Sequence, residues 1–169
     1  MAPLIRTSLA PRSQTPVIHT RAKHRQKVSI AAALFRSPAA GRARLVHEIF
    51  VDRYVDDLLY ADFLRERVLR ASRRRLLLVQ DGAPLHLGHW TQEVTEDFYP
   101  RLQVFQFPAY APELNPVEQL WNWAKDKQLA NFVPNDLGQL AAAANHVIEQ
   151  VEHDQTRLQT FFDAAALPW

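Results

Sequence analysis

The chain has 169 residues, of which 47% are apolar and 22% are charged, and this balance is typical of one globular domain. It contains no cysteine, which excludes disulfides, thiolate metal sites and cysteine nucleophiles and favours a cytoplasmic location. No stretch approaches the roughly 18 apolar residues of a membrane span, so we expect no membrane partner.

The net charge of +2 is unevenly distributed along the chain. Residues 1–75 carry 16 Lys and Arg against 6 Asp and Glu, whereas residues 76–169 carry 4 against 12. Basic residues cluster before residue 28 and again over residues 65–75, where Arg73, Arg74 and Arg75 are consecutive. Such clusters favour a nucleic-acid partner, because each phosphate contact releases counterions. A solvated basic surface is the commoner explanation of charge alone.

The first half of the chain predicts an arm, a hairpin and a helix. Residues 1–16 are rich in Pro, Ser, Thr and Arg and predict an extended arm. A strand is predicted from Gln26 to Phe35, and a turn containing Ser37, Pro38 and Gly41 joins it to a hairpin partner from Arg44 to Val51. Apolar residues at helical spacing then predict an amphipathic helix from Asp56 to Ser72.

The second half alternates strands and helices. The wholly apolar run from Leu76 to Val79 predicts a strand that is covered on both faces, and Asp81-Gly82-Ala83-Pro84 ends it. The later elements are a helix from His89 to Phe98, a strand from Gln103 to Phe107, a helix beginning near Asn115 and a helical region from Asp136 to Phe162. This order predicts a single α/β domain in which helices pack on a mixed sheet.

Asp81 is the first candidate site residue. It directly follows the buried strand, and open α/β sheets place their ligand crevice at the carboxyl ends of strands. A structural alternative is equally compatible with the sequence: Asp81 begins a turn in which its side chain bonds to the backbone two residues later.

Glu118 is the second candidate. Asn115 is suited to cap a helix, Pro116 to its first position, and Glu118 then falls in the first turn. The structural alternative is a capping box, in which Glu118 bonds the backbone amide of Asn115. Pro108 and Pro112 fix the approach of this loop, which favours a role that needs a precisely placed carboxylate.

The two carboxylates are more informative as a pair. One helix and one strand separate them, and this connection can return the chain to the same sheet edge. Two carboxylates there suit Mg or Mn, because both cations prefer oxygen ligands. A pair of such ions about 3.5–4 Å apart activates an attacking hydroxyl and stabilises the leaving oxygen of a phosphodiester.

Two segments resemble the DDE transposases of the mariner-like and bacterial insertion-sequence type. Asp81-Gly82-Ala83-Pro84-Leu85-His86 is similar to the segment around their second carboxylate. The run from Pro108 to Lys125 resembles their third-carboxylate segment through the long and diagnostic motif Pro-x-Tyr-x-Pro-x-Leu-Asn-Pro-x-Glu-x-x-Trp. Residues 10–16 and 28–34 resemble family segments more loosely, with Leu9 and Ser13 where tryptophan and glycine are expected.

The resemblance implies an RNase H-like fold and metal-dependent cleavage and joining of DNA strands. It implies that Asp81 and Glu118 are the second and third members of a three-carboxylate site that holds Mg or Mn. The first carboxylate of the family lies on an opening strand that precedes the segment similar to residues 3–16, and a helix-turn-helix domain precedes that strand. We expect both to be missing here, and therefore a weakly held metal and a chain that is inactive alone.

The resemblance also suggests secondary site residues and partners. His86 and Asn115 are expected to line the cleft, while Lys125, Arg73, Arg74 and Arg75 are expected to contact DNA phosphates. The simpler alternatives are a polar residue near a helix start for His86 and a solvated helix lysine for Lys125. The expected partners are DNA and further copies of the chain or full-length transposase. Asp52, Asp56 and Asp57 are spare carboxylates, but they lie at the entrance to a helix.

Two other functions remain open at this point. One is a non-catalytic protein that binds DNA or transposase subunits without cutting. The other is an unrelated metal-dependent hydrolase that uses Asp81, His86 and His89, although no H-E-x-x-H pattern or third nitrogen ligand accompanies them.

Overall fold

A computed structural model of the chain describes residues 11, 12, 14, 17, 27–37 and 41–165. Most of the predicted arm over residues 1–16 lies outside these ranges. The described elements, connected by short 3-10 and π-helical segments, are β1 (Val28–Arg36), β2 (Ala43–Val51), α1 (Asp57–Phe63), α2 (Leu69–Ala71), β3 (Leu76–Gln80), α3 (His89–Asp97), β4 (Leu102–Gln106), α4 (Pro116–Trp123), α5 (Leu137–Glu152) and α6 (Gln155–Ala164). None of these helices combines the length and apolarity that a membrane crossing needs.

The predicted hairpin is confirmed. Strands β1 and β2 pair antiparallel, with Val28 opposite Val51 and Arg36 opposite Ala43. In the connecting turn the N–H of Gly41 donates to the carbonyl of Ser37 at 3.0 Å. Gly41 has a φ of +60°, a left-handed conformation that glycine adopts without steric cost. Pro38, the third predicted turn residue, lies outside the described residues.

The predicted helix after the hairpin is also present, but it changes its winding. Asp56 caps α1 by accepting the N–H of Leu59 at 2.9 Å. A π-helical segment, Leu64–Val68, then joins α1 to α2. The apolar spacing did not predict this change from α-helical to π-helical winding. Leu64 and Val68 are both fully buried, as apolar residues of an uninterrupted α-helix would also be.

Strands β3 and β4 form the second strand pair. They run parallel, with Leu76 opposite Leu102 and Gln80 opposite Gln106, and α3 makes the crossover between them. The α/β class is therefore confirmed, with both antiparallel and parallel pairing. Within the described ranges the two pairs are separate, because no strand joins β1 to β3.

Strand β1 lies between two hydrophobic clusters, because alternate side chains of a strand point to opposite faces. One cluster combines its odd-numbered residues with the helix that follows the hairpin: Ala31, Ala33, Phe35, Phe63, Leu64 and Val68. The other combines its even-numbered residues with the C-terminal helices: Ile30, Ala32, Leu34, Leu120, Ile148 and Phe161.

The helical region predicted from Asp136 to Phe162 is confirmed. It consists of two helices, α5 and α6. The reason is Asp154, which starts a new helix by accepting the N–H of Arg157 at 2.9 Å. The Gln155 side chain then bonds both the N–H and the carbonyl of Ala43, at 3.3 and 2.8 Å, and so holds α6 against β2.

A second polar contact attaches α5 to β2. His47 Nδ1 lies 2.6 Å from Glu152 Oε1, and its Nε2 lies 2.9 Å from Asn145 Oδ1. The Asn145 amide nitrogen donates to Glu149, so its oxygen faces the imidazole ring. Both ring nitrogens of His47 therefore face side-chain oxygens of α5. The His47 side chain is only 10% exposed, so these bonds are shielded from water.

We predict that His47→Ala lowers the free energy of unfolding by about 1–3 kcal/mol, since it removes two side-chain hydrogen bonds and leaves Asn145 and Glu152 without their shared partner. Urea unfolding followed by circular dichroism measures the change. His146→Ala is the control, because His146 is an exposed histidine of α5; it should shift stability by less than about 0.5 kcal/mol. Equal losses in the two variants would contradict the assignment.

Candidate active site

Asp81 follows the last residue of β3, where the parallel strand pair ends. Its Oδ1 accepts the N–H of Ala83 at 3.0 Å, which is the turn that the structural alternative predicted. The same oxygen lies 2.7 Å from Nδ1 of His86. The side chain is 53% exposed, and Oδ2 has no hydrogen-bond partner among the described residues. The turn thus fixes the carboxylate and leaves one oxygen for another ligand.

Two partly or fully buried hydrogen bonds and one ring contact hold His86 in place. The Tyr60 hydroxyl donates to Oε1 of Gln80 at 2.9 Å, and Nε2 of Gln80 donates to the carbonyl of His86 at 3.1 Å. The Tyr60 ring packs against the imidazole with centroids 4.4 Å apart. Tyr60 and Gln80 were not predicted as site residues. The available signal was Gln80 itself, a polar residue at the end of a wholly apolar strand.

Burial raises the pKa of Tyr60 well above its usual value of 10.0, and the negative charge of Asp81 raises it further. Both causes act on the tyrosinate, which is poorly solvated in the core and repelled by a carboxylate. Tyr60 therefore stays protonated and keeps donating to Gln80 throughout the neutral range.

Glu118 lies in the first turn of α4. Asn115 caps this helix by accepting the N–H of Val117 at 3.0 Å, and its own N–H donates to the carbonyl of Pro112 at 3.1 Å. The capping-box alternative is therefore not formed, because the amide that Glu118 would bond is already satisfied. The Glu118 residue is half-buried.

The two candidate carboxylates line the same groove. This groove has a volume of about 570 Å³ and lies between β1, β3 and the start of α4. His86 and Asn115, the two residues expected to line the cleft, also contribute to its wall. All four residues therefore belong to the wall of one groove, and their catalytic and metal-binding roles stay predictions.

One of the four basic candidates belongs to the wall of this groove, and the other three are exposed elsewhere. Arg75 lines it directly, and Arg73 and Arg74 are exposed just before β3. Lys125 is exposed on the π-helical segment Ala124–Gln128, which continues α4. These positions leave all four side chains accessible to an anionic partner.

Two of the spare carboxylates accept backbone hydrogen bonds instead. Asp56 caps α1, and Asp57 Oδ2 accepts the N–H of Trp90 at 3.3 Å. Asp52 has a left-handed φ of 54° at the end of β2. None of the three belongs to the described wall of the groove.

Asp81 and Glu118 offer carboxylate oxygens, which are the ligand type that the hard cations Mg and Mn prefer. Across the described part of the chain, no group of three His, Asp or Glu side chains is arranged to hold a metal ion. This finding counts against the alternative site of Asp81, His86 and His89. The imidazole of His89 instead packs beside Trp90, with ring centroids 5.1 Å apart.

The fold and the groove define an α/β domain with two carboxylates beside a parallel strand end. Residues 2–140 match the sequence profile of the DDE superfamily endonucleases. The chain belongs to this family. No curated protein has a matching sequence.

Solved structures of the Mos1 mariner transposase resemble the chain in fold. The strand transfer complex matches with 15% identity and a TM-score of 0.59, over 95% of this chain and 46% of that one. A paired-end complex with Mn gives 15% and 0.58, over 96% and 47%. A paired-end complex with the left transposon end gives 16% and 0.59, over the same shares. The predicted RNase H-like fold is confirmed, and the chain spans about half the length of these structures.

We predict that Tyr60→Phe is about 1 kcal/mol less stable than the parent at pH 8, because Gln80 loses a buried hydrogen bond. The pKa of Tyr60 is raised in the folded state. Its contribution to the free energy of unfolding is therefore complete below pH 10 and is lost as the pH rises from 10 toward the folded pKa. The difference between the proteins should therefore shrink above pH 10. Urea unfolding at pH 8 and above pH 10 measures it, and a constant difference would contradict the assignment.

Proposed function

We propose that this chain is a DDE transposase catalytic domain that acts on DNA by metal-dependent strand cleavage and joining. The observation that carries the proposal is the shared groove, in which Asp81 and Glu118 lie together in a member of the DDE family. The related mariner paired-end structure is a complex with Mn, which supports a divalent metal in the proposed site.

Asp81 and Glu118 are the residues that would hold the metal. Bound Mg or Mn would supply activation of the attacking hydroxyl and stabilisation of the leaving oxygen. The chain itself orients the carboxylates. His86 and the Ala83 amide engage Oδ1 of Asp81 and leave Oδ2 toward the ligand, while Asn115 and Pro116 fix the helix turn that carries Glu118.

DNA is the proposed substrate and partner. We propose that its phosphates are contacted by Arg73, Arg74, Arg75 and Lys125. The exposure of all four residues and the place of Arg75 in the groove wall support this role. Further copies of the chain, or full-length transposase, are the proposed protein partners. The support for this is the relationship in fold to a transposase that was solved in paired-end complexes.

We further propose that the isolated chain holds metal weakly and does not cleave DNA. Two carboxylates provide less negative charge and fewer fixed oxygens than a pair of cations requires. The competing proposal is a protein that binds DNA or transposase subunits without cutting. The basic cluster before β3 favours DNA binding under both proposals, so cleavage is the property that separates them.

We predict that Mn binds the chain with a dissociation constant on the order of millimolar or weaker, because only two carboxylates contribute. Electron paramagnetic resonance of free Mn during a titration measures this binding. Asp81→Ala and Glu118→Ala should each abolish it. Glu113→Ala should not, because Glu113 is an exposed acid of the preceding loop. Micromolar binding that Asp81→Ala abolishes would reveal a third ligand.

We predict that the isolated chain shifts labelled DNA in a gel at low salt but does not nick supercoiled plasmid in Mg or Mn above an Asp81→Ala/Glu118→Ala control. Fusing an apolar strand that ends in aspartate to its N-terminus should allow nicking, since loss of one stabilising group at such a site costs a factor of about 100–1,000. Nicking by the unfused chain that the double variant abolishes would show that the site is already complete. A fusion that still binds DNA without nicking would favour the non-catalytic alternative.

A further inference from the structure

The loop over residues 108–114 connects the two parts of the chain that carry the candidate carboxylates. It begins after Phe107, whose N–H donates to the carbonyl of Gln80 at 2.8 Å, directly before Asp81. It ends at Asn115, the residue that caps α4. Phe107 and Asn115 both line the groove. Both ends of the loop are therefore held beside the candidate active site.

Tyr110 lies in this loop in a backbone conformation that is unfavourable for tyrosine. Its φ is +60°, in the left-handed region, where a side chain crowds the backbone. The other described non-glycine residues with positive φ are Asp52 and Asn131, and aspartate and asparagine adopt this region more readily than most residue types. Tyrosine has no short polar side chain that could bond the local backbone there. The conformation of Tyr110 therefore costs free energy that the rest of the fold must supply.

The ring of Tyr110 does not offset this cost through burial. Its exposure is 101%, the highest value among the large apolar and aromatic residues that the structure describes. The loop beside it is ordered by its own hydrogen bonds, because Leu114 donates to the carbonyl of Ala111 and Asn115 to that of Pro112, both at 3.1 Å. A strained residue that its surroundings hold in place is typical of a ligand-binding site.

A nucleobase is the ligand that suits this ring. The carboxylates that would hold cations, and Arg75 in the groove wall, favour a polyanionic strand in the groove. Stacking needs only the flat face of a base, and an exposed tyrosine offers a matching face. Alanines precede and follow Tyr110, so within the loop the ring is not part of an apolar patch of the kind that a protein interface needs. The base must be unpaired, because bases inside a duplex are already stacked on their neighbours.

We propose that Tyr110 stacks on an unpaired nucleobase next to the phosphodiester that Asp81 and Glu118 would engage, and so positions the DNA strand in the groove. This role rests on the proposed function, because it requires DNA at the carboxylates. It differs from the contacts proposed for the basic residues, since phosphate contacts do not depend on whether the sugar carries a base. A preference for base-bearing over abasic DNA is therefore the property that belongs to Tyr110.

The test is fluorescence anisotropy of a labelled DNA duplex with short single-stranded overhangs, titrated with the full chain at low salt. The matched probe has the same phosphates but abasic sugars in its overhangs. The parent should bind the base-bearing probe at least about fivefold more tightly, or 1 kcal/mol, which is the lower end of the contribution of one stacked base.

Three variants assign this preference to the ring. Tyr110→Ala should bind both probes equally, with the affinity of the parent for the abasic probe. Tyr110→Phe should keep the preference within about twofold, because the aromatic face remains. The matched control is Tyr99→Ala, because Tyr99 is also exposed, at 71%, but lies before β4, whereas the loop follows it. A preference that survives Tyr110→Ala, or that Tyr99→Ala removes equally, overturns the stacking role.

The abasic probe separates this role from the proposed function. If the parent binds both probes equally, DNA binding stands and stacking by Tyr110 is overturned. If the parent binds neither probe, both are overturned.

Urea unfolding adds a measurement that a purely structural role would move in the opposite direction. Glycine adopts a φ of +60° without steric cost. Tyr110→Gly should therefore raise the urea midpoint above those of the parent and of Tyr110→Ala, while it loses the preference for base-bearing DNA. A midpoint below that of the parent would show that the Tyr110 side chain serves the fold, and would overturn the proposal.

Discussion

The alternation of side chains along β1 is the constraint on which the remaining structure depends. Its odd-numbered residues pack on the helix after the hairpin, and its even-numbered residues pack on the C-terminal helices. Both helical layers therefore take their position from a single strand. Leu120 is fully buried in the second layer, so α4 is held with its first turn beside the groove, and Glu118 reaches the groove as a consequence.

The opposite wall depends on polar contacts rather than on apolar packing. The chain must leave β3 at Asp81, and the Asx turn there fixes one carboxylate oxygen. Hydrogen bonds from Tyr60 to Gln80 and from Gln80 to the His86 backbone extend from this turn into the core, where Tyr60 and Gln80 are buried. The structural explanation of Asp81 and the functional one are thus compatible, because a turn that occupies Oδ1 also orients Oδ2.

The sequence predicted those secondary-structure elements that are determined by neighbouring residues in the chain. The apolar run before Asp81 predicted β3, and Asn115 with Pro116 predicted the start of α4. The break at Asp154 was not predicted, because apolar residues at helical spacing, such as Val147, Val151 and Leu158, continue across it. The Tyr60–Gln80 bond joins residues 20 positions apart, so no local pattern could reveal it. The separation of the two strand pairs depends on long-range pairing, which periodicity does not specify.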